Sequence, residues 1–569
     1  APPPAPPPET TPATAAASPP TAAEAAPARI ENPNLAIGMV AVRDWTVALP
    51  FIDLMRTGRD WIGHLPGQWG GWGHDELAAG GWLDPETGWL TGVPPELTRV
   101  TALLLTGLPP EATYAAGLYR VTWTGRGTLR LGGVARVVRE APGEIWFDYA
   151  PDPGPVMIDI EAVDAADPIR DIVVVHERNI AAHAAGEIFD PLYLARMEGV
   201  RLLRFMDWAQ TNNSPVATPA DRPRVTDYQW TRRGVPIEIQ VALANRLGAD
   251  AWFNVPHLAN DALIREMAEI VRDGLDPSLR AYVEFSNEVW NFMFGQAHWA
   301  EEQGRARWGQ PGLYAEYYAL RTVETGRIWA EVFGDAAPER LRRVIATQTG
   351  WIGREDAILN APTWAAEVGP AFRPPWQETD AYAVAGYFGY KLGEGAKAEM
   401  VKGWLRDSRR AAEAQARAQG LTGAAWAAHV EAHKFDAARA LALRELRDGS
   451  VSGNDDDAIT RVLGDFLAHH ARLAAAHGHA LVMYEGGQHV VGVGPWMDDA
   501  ELTEFFVDLN FSAEMGLLYR EMIDGWARLS AAPFMEYGEI EGAGRYGSWG
   551  ALRHRADDNP RWRALIAAR

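Results

Sequence analysis

The chain has no cysteine. A disulfide framework, a thiolate-bound metal and a cysteine nucleophile are therefore all excluded. Basic residues are in deficit: 53 Lys and Arg stand against 75 Asp and Glu, a formal charge of −22, and no basic run interrupts the acid. That balance argues against nucleic acid and anionic membrane surfaces as partners and favours a neutral ligand. Long apolar runs are missing as well. No stretch is apolar enough to span a bilayer, and neither an initiator Met nor a basic-then-apolar signal segment opens the chain. No GxGxxG or Walker pattern falls between a strand and a helix and no HExxH occurs, so no cofactor and no metal are expected.

What is present begins with a Pro/Ala/Thr tract, residues 1–28, which has almost nothing to bury and reads as a disordered or polyproline spacer. A mature exported protein, secreted or periplasmic after loss of its signal, is expected to look like this; a trimmed chain would look the same. The 24 Trp are far above ordinary usage, and most stand beside Gly, Asp or Asn. Indole faces suit flat apolar ligand surfaces, including the C–H faces of sugar rings.

After the spacer, eight short apolar runs recur: NLAIGMVAV (34–42), VRLLRF (200–205), DAWFNV (250–255), AYVEF (281–285), RRVIAT (342–347), AYAVAGY (381–387), HALVMY (479–484) and APFMEY (532–537). Between most of them lie amphipathic stretches such as DALIREMAEIVRDGL (261–275), with apolar residues at three-to-four spacing. Eight strands alternating with helices predict an α/β fold, a closed (β/α)8 barrel (TIM barrel) whose reactive groups sit where strands end. A doubly wound open sheet is the alternative. Residues 98–177 instead alternate at period two between Gly, Pro and Asp turns, which predicts an inserted β-sandwich after the first strand. The barrel would then comprise 29–97 and 178–569. Residues 391–456 are Ala/Arg/Glu-rich and predict a helical insertion, lid or flank, between the sixth and seventh strands.

The fourth run leads straight into a carboxylate, in VEFSNEVWN (283–291), and the seventh does the same in HALVMYEGG. A glutamate at the C-terminal end of a barrel strand points into the mouth. Glu288 and Glu485 are therefore the candidate catalytic pair, although strand-end carboxylates also cap helices or pair with Arg. These motifs resemble the clan A glycoside hydrolases, retaining (β/α)8 enzymes with an Asn-Glu acid/base on the fourth strand and a Glu nucleophile on the seventh. The resemblance covers most of 34–555 as architecture plus two short motifs. WTVALPFIDLMRTGRDWI with FSNEVWN is also similar to bacterial proteins described as cellulose-binding or as glycosidases.

The resemblance implies hydrolysis of a β-linked polysaccharide, glucan first, by double displacement, with Glu485 attacking the anomeric carbon and Glu288 as acid and then base. Asn287 would hold the 2-hydroxyl, Arg204 would keep Glu485 ionised, and Tyr387, with Tyr390 nearly as eligible, would lie near the nucleophile. His257 and Trp290 would line the mouth. A stacking Trp usually follows strand eight, whereas Trp549 arrives twelve residues after Tyr537. Glu536 and Glu539 are rival carboxylates if the eighth strand is miscounted. The Gly-Trp stretch 60–90 predicts stacking platforms, Trp69 and Trp72 foremost, and hence a polymer substrate; Trp123 and Trp146 of the sandwich are fainter candidates. Clustered histidines 469, 470, 477 and 479 are expected at the surface. A noncatalytic polysaccharide-binding protein and a transglycosylase using the same carboxylates are the rival functions. Nothing in the sequence speaks to oligomeric state.

Overall fold

The computed structural model describes residues 29–568; the 1–28 spacer lies outside the described residues. Eight strands pair in one parallel sheet: β1 (Leu35–Gly38), β2 (Leu202–Arg204), β3 (Asp250–Val255), β4 (Ala281–Phe285), β5 (Leu341–Ala346), β6 (Ala381–Phe388), β7 (Ala480–Gln488) and β8 (Phe534–Glu536). Each pairs with its predecessor up to β7, and β8 pairs with β1. The Tyr537 N–H donates to the Gly486 carbonyl at 3.1 Å, which brings β8 back against β7 and nearly closes the barrel. Every expected run carries its strand. The strands are buried along almost their whole length, because helices cover the sheet outside and side chains fill it within, so they read as continuous apolar runs.

The helices follow local rules. Asp261–Gly274 starts where the Asn260 side chain accepts from the Leu263 N–H at 2.9 Å, and it buries Leu263, Ile264, Met267, Ala268 and Val271 at helical spacing. Between β6 and β7 run Gly395–Ala418, Gly423–His433 and Asp436–Asp448. Lys402 with Asp499 and Glu501, Arg439 with Asp508 and Arg447 with Glu521 tie these helices to those that follow β7. Asp457 also accepts from the Lys391 N–H at 2.7 Å and so anchors the loop after β6.

Between β1 and β2 lie two antiparallel sheets. The four-stranded one is built from Arg170–His176, Gly117–Thr124, Glu144–Tyr149 and Arg136–Ala141. The five-stranded one takes Arg99–Leu104, Val156–Val163 and Gly127–Gly133, and also recruits Ile62–His64 and Gly71–Trp72 from before residue 98. Those short Gly-rich strands have no alternating pattern of their own. They are held by neighbours: the Thr98 N–H donates to the His64 carbonyl at 2.8 Å, and the His64 ring meets Thr101 at 2.9 Å. Of the clustered histidines, His470 departs from the surface expectation, being fully buried between the Tyr382 hydroxyl at 3.0 Å and the Thr349 carbonyl at 2.9 Å.

Candidate active site

β4 ends at Phe285, and the next residues take an uncommon backbone path. Ser286 (φ 61°) and Glu288 (φ 41°) are both left-handed, a conformation that costs a non-glycine residue energy and persists only where surroundings enforce it. The enforcing bonds are visible. The Ser286 N–H donates to the Val255 carbonyl at 2.7 Å, Asn254 donates to the Ser286 carbonyl at 2.9 Å, and Gln296 donates to the Asn287 carbonyl at 2.9 Å. The turn leaves the Glu288 side chain partly exposed, with one oxygen accepting from the Tyr484 hydroxyl at 2.9 Å and the other from Asn291 at 3.0 Å.

On β7 the pairing register with β6 slips between Met483 and Glu485, leaving Tyr484 as the extra residue of a bulge. In a regular strand, neighbours point to opposite faces; a bulge re-aims them. Tyr484 reaches Glu288 while Glu485 reaches Arg204 and Tyr387, so two consecutive side chains serve one mouth. Arg204, at the end of β2, is the hub. Its Nη1 donates to Glu485 at 2.8 Å, and its Nη2 donates to Glu284 at 2.8 Å and to the Asn287 side chain at 2.9 Å. The guanidinium is buried between the Trp252 and Tyr484 rings, 5.4 and 5.3 Å from their centroids. Trp252 and Asn254 complete the bonding of Glu284, which is thus a structural partner. Asn287 donates in turn to Asn212 at 3.1 Å.

The electrostatics follow from burial. Loss of water pushes the Glu485 carboxyl up to about 8, against the pull of Arg204 and with a further push from Glu288 and Asp207. Burial also raises Tyr387, Tyr484 and Tyr537 well above the ordinary phenol value, so each is a neutral donor. Tyr387 donates to Glu485 at 3.1 Å and Tyr537 to Asp207 at 2.9 Å.

Trp549 belongs to this cluster. Its ring centre lies 6.4 Å from Tyr387, 5.6 Å from Tyr537 and 4.8 Å from His489. Gly538–Ile540 pairs with Gly550–Leu552, so the intervening loop is an excursion that returns Trp549 to the barrel end. Tyr390 is one ring further out, on His489 at 5.0 Å.

Other expected residues stand elsewhere. Trp290 is only 7% exposed, packed on Tyr318 and Tyr484, so it supports the tyrosine and offers no stacking face. His257 is buried against Trp299 at 5.5 Å, with Nδ1 unpartnered, and burial lowers its pKa to about 4. Trp69 and Trp72 sit on the hairpin that joins the five-stranded sheet, and their contacts are there: Trp69, 53% exposed, leans on His64 at 4.3 Å, and Trp72 is half-buried opposite Gly63. Trp61 and Trp89 are buried around Tyr228, a local cluster and not a platform. Trp146 is covered by Arg139 and bonded to Glu144, and Trp123 packs on the core. Glu536 bonds to Tyr519 and Glu539 to the Val40 N–H, both buried away from the partners of Glu288. Sequence reasoning missed Tyr484, Asn212, Asn291, Asp207, Tyr537 and His489. Asn291 and Tyr484 lie inside the two motifs, but only the turn and the bulge show that they reach the carboxylates.

Among the described residues, no group of three or more His, Asp or Glu is placed to hold a metal ion, and no helix is long and apolar enough to cross a membrane. No family model and no curated protein matches the chain. Among solved structures, a GH51 arabinofuranosidase from Xanthomonas axonopodis pv. citri is similar at 11% identity and a TM-score of 0.32, over 66% of this chain. The match spans 65% of that protein, less than two thirds of its length.

Proposed function

We propose that the chain is a retaining glycoside hydrolase of the clan A type, acting within a β-linked polysaccharide, with β-glucan the first candidate. One observation carries the reading. Glu288 follows β4 and Glu485 lies in the C-terminal half of β7 of one barrel, and a single network of Arg204, Asn287, Tyr387 and Tyr484 joins them.

In this reading Glu485 attacks the anomeric carbon while Glu288 protonates the leaving oxygen. The glycosyl ester on Glu485 is then hydrolysed by water that Glu288 deprotonates. The reaction needs the proton on Glu288 and the charge on Glu485. Arg204 and Tyr387 lower the cost of that arrangement, because both donate to Glu485, whereas only neutral groups donate to Glu288. Asn287, oriented through its oxygen by Arg204, presents its amide towards a sugar 2-hydroxyl, where a bond strengthens as positive charge develops at the anomeric centre. Trp549 with Tyr387 and Tyr537 makes the apolar wall against which the reacting ring lies. The sheets between β1 and β2 are an accessory module on the catalytic barrel, and the protein works outside the cytoplasm, where polysaccharide is met.

The test is a screen of the protein beside Glu288→Gln on β-glucans, xylan, mannan and bacterial exopolysaccharides, reading new reducing ends and, by NMR, the anomer first released. Cleavage with retention, lost in the variant, is the expected result. A polymer that is bound and never cut would return the noncatalytic reading; longer products formed from short donors would mark a transglycosylase.

A further inference from the structure

Eight of the thirteen large apolar side chains exposed among the described residues lie on loops that follow barrel strands, the end at which Glu288 and Glu485 stand. Most are scattered. One group is contiguous: Phe292 and Met293 after β4, and Trp351 and Ile352 after β5, exposed to 44%, 87%, 49% and 45%.

A chain of contacts links this group to the candidate acid. Asn291 donates to Glu288, and the next residue, Phe292, meets Tyr314 edge-to-face at 5.0 Å. The Arg354 guanidinium lies 5.1 Å above Tyr314 and 3.9 Å above Trp351. Arg354 thus covers one face of the indole and fixes it, which leaves the exposure of Trp351 to its other face. Exposed apolar rings beside a cation are what a hydroxylated ring with C–H faces would use: the faces stack and the hydroxyls meet the charged rim.

We infer that Phe292 and Trp351, with Tyr314 and Arg354 packed against them, form the platform for the leaving-group side of the scissile bond, binding neutral sugar units beyond the one that Glu288 protonates. The inference rests on the glycosidase reading and specifies it. The cleft then extends past the catalytic pair on the acid's side, so the substrate is a chain that continues beyond the cut. It also replaces the platform that the Gly-Trp stretch 60–90 suggests in the sequence.

The experiment compares Trp351→Ala, Phe292→Ala and Trp351→Phe with the parent on the polymer cleaved and on an aryl β-glycoside of the same sugar, whose leaving group is a single aromatic ring and not a sugar chain. Trp351→Ala is expected to raise KM for the polymer about tenfold, the equivalent of one lost stacking contact, with a smaller change for the aryl glycoside and recovery in Trp351→Phe. Equal losses on both substrates, or none on the polymer, overturn the platform. The same substitutions are made in Glu288→Gln and run in affinity gels containing the polymer. Retardation that falls with Trp351→Ala supports the platform even if the parent cuts nothing, in which case only the hydrolase reading fails; unchanged retardation overturns the platform even if the parent is active.

Discussion

Two glutamates proposed to act in one reaction can be told apart by what each loses when the other is neutralised. Glu485→Gln removes the attacking oxygen and should abolish turnover, by more than about a thousandfold, while polysaccharide retardation in affinity gels persists. Activity near that of the parent would sink the nucleophile assignment. Glu288→Gln is subtler. It removes a like charge from Glu485, whose carboxyl that charge pushes up. The Glu485 pKa must therefore fall, and the acidic limb of glycosylation by an activated aryl glycoside, which needs no proton donor, should move to lower pH. The measurement is the pre-steady-state burst against pH, and an unmoved limb would mean that the two groups do not couple. With natural leaving groups the same variant should lose about 10²- to 10⁴-fold in kcat/KM, the usual worth of a general acid.

Whole elements place these side chains, and their legibility in the sequence differs for physical reasons. The eight strands are readable because each is buried on both sides, which demands an uninterrupted apolar run. The strand-end glutamates follow from the barrel rule alone. The bulge at Tyr484 is not readable, since one extra residue in a register leaves no mark on composition. Nor is the burial of Trp61 and Trp89, because a Gly-Trp segment looks alike whether its rings face solvent or Tyr228. Trp549 is distant from β8 only when the loop is counted as extended chain; the pairing of Gly538–Ile540 with Gly550–Leu552 cancels the excursion. Gly547 makes that return possible, at φ 125° and with an added Cβ falling 2.3 Å from the Trp549 ring. Gly547→Val should therefore displace the indole and raise KM for glycosides severalfold, with a strain cost of about 1–3 kcal/mol visible as a lower Tm. An unchanged KM would remove Trp549 from the substrate wall.

At the scale of the molecule, the unusual feature is how many carboxyl groups the barrel end buries. Burial raises Glu485 and Glu539 to about 8 and Glu536 and Glu541 to about 7, all above the ordinary glutamate value near 4.5. A carboxyl with its pKa raised on folding binds its proton more tightly in the folded state. Its contribution to stability is full below about pH 4.5, the unfolded value, and is lost as pH rises through 7 to 8. The excess of acid, −22 at neutral pH, adds self-repulsion in the same direction. Asp557, held down to about 2 by Arg553 against its own burial, has the opposite sign, but its loss falls below pH 4. Between pH 5 and pH 9 the raised group therefore dominates, and the thermal midpoint should fall steadily across that window. Glu536 is the side chain with which to attribute the effect, since it contacts Tyr519 and no member of the candidate pair. Glu536→Gln keeps an acceptor for that hydroxyl and removes the titration, so its midpoint should decline less steeply than the parent's, with the largest gain at the alkaline end. Parallel curves for parent and variant would show that Glu536 does not titrate in this range and would leave the slope to the surface charge.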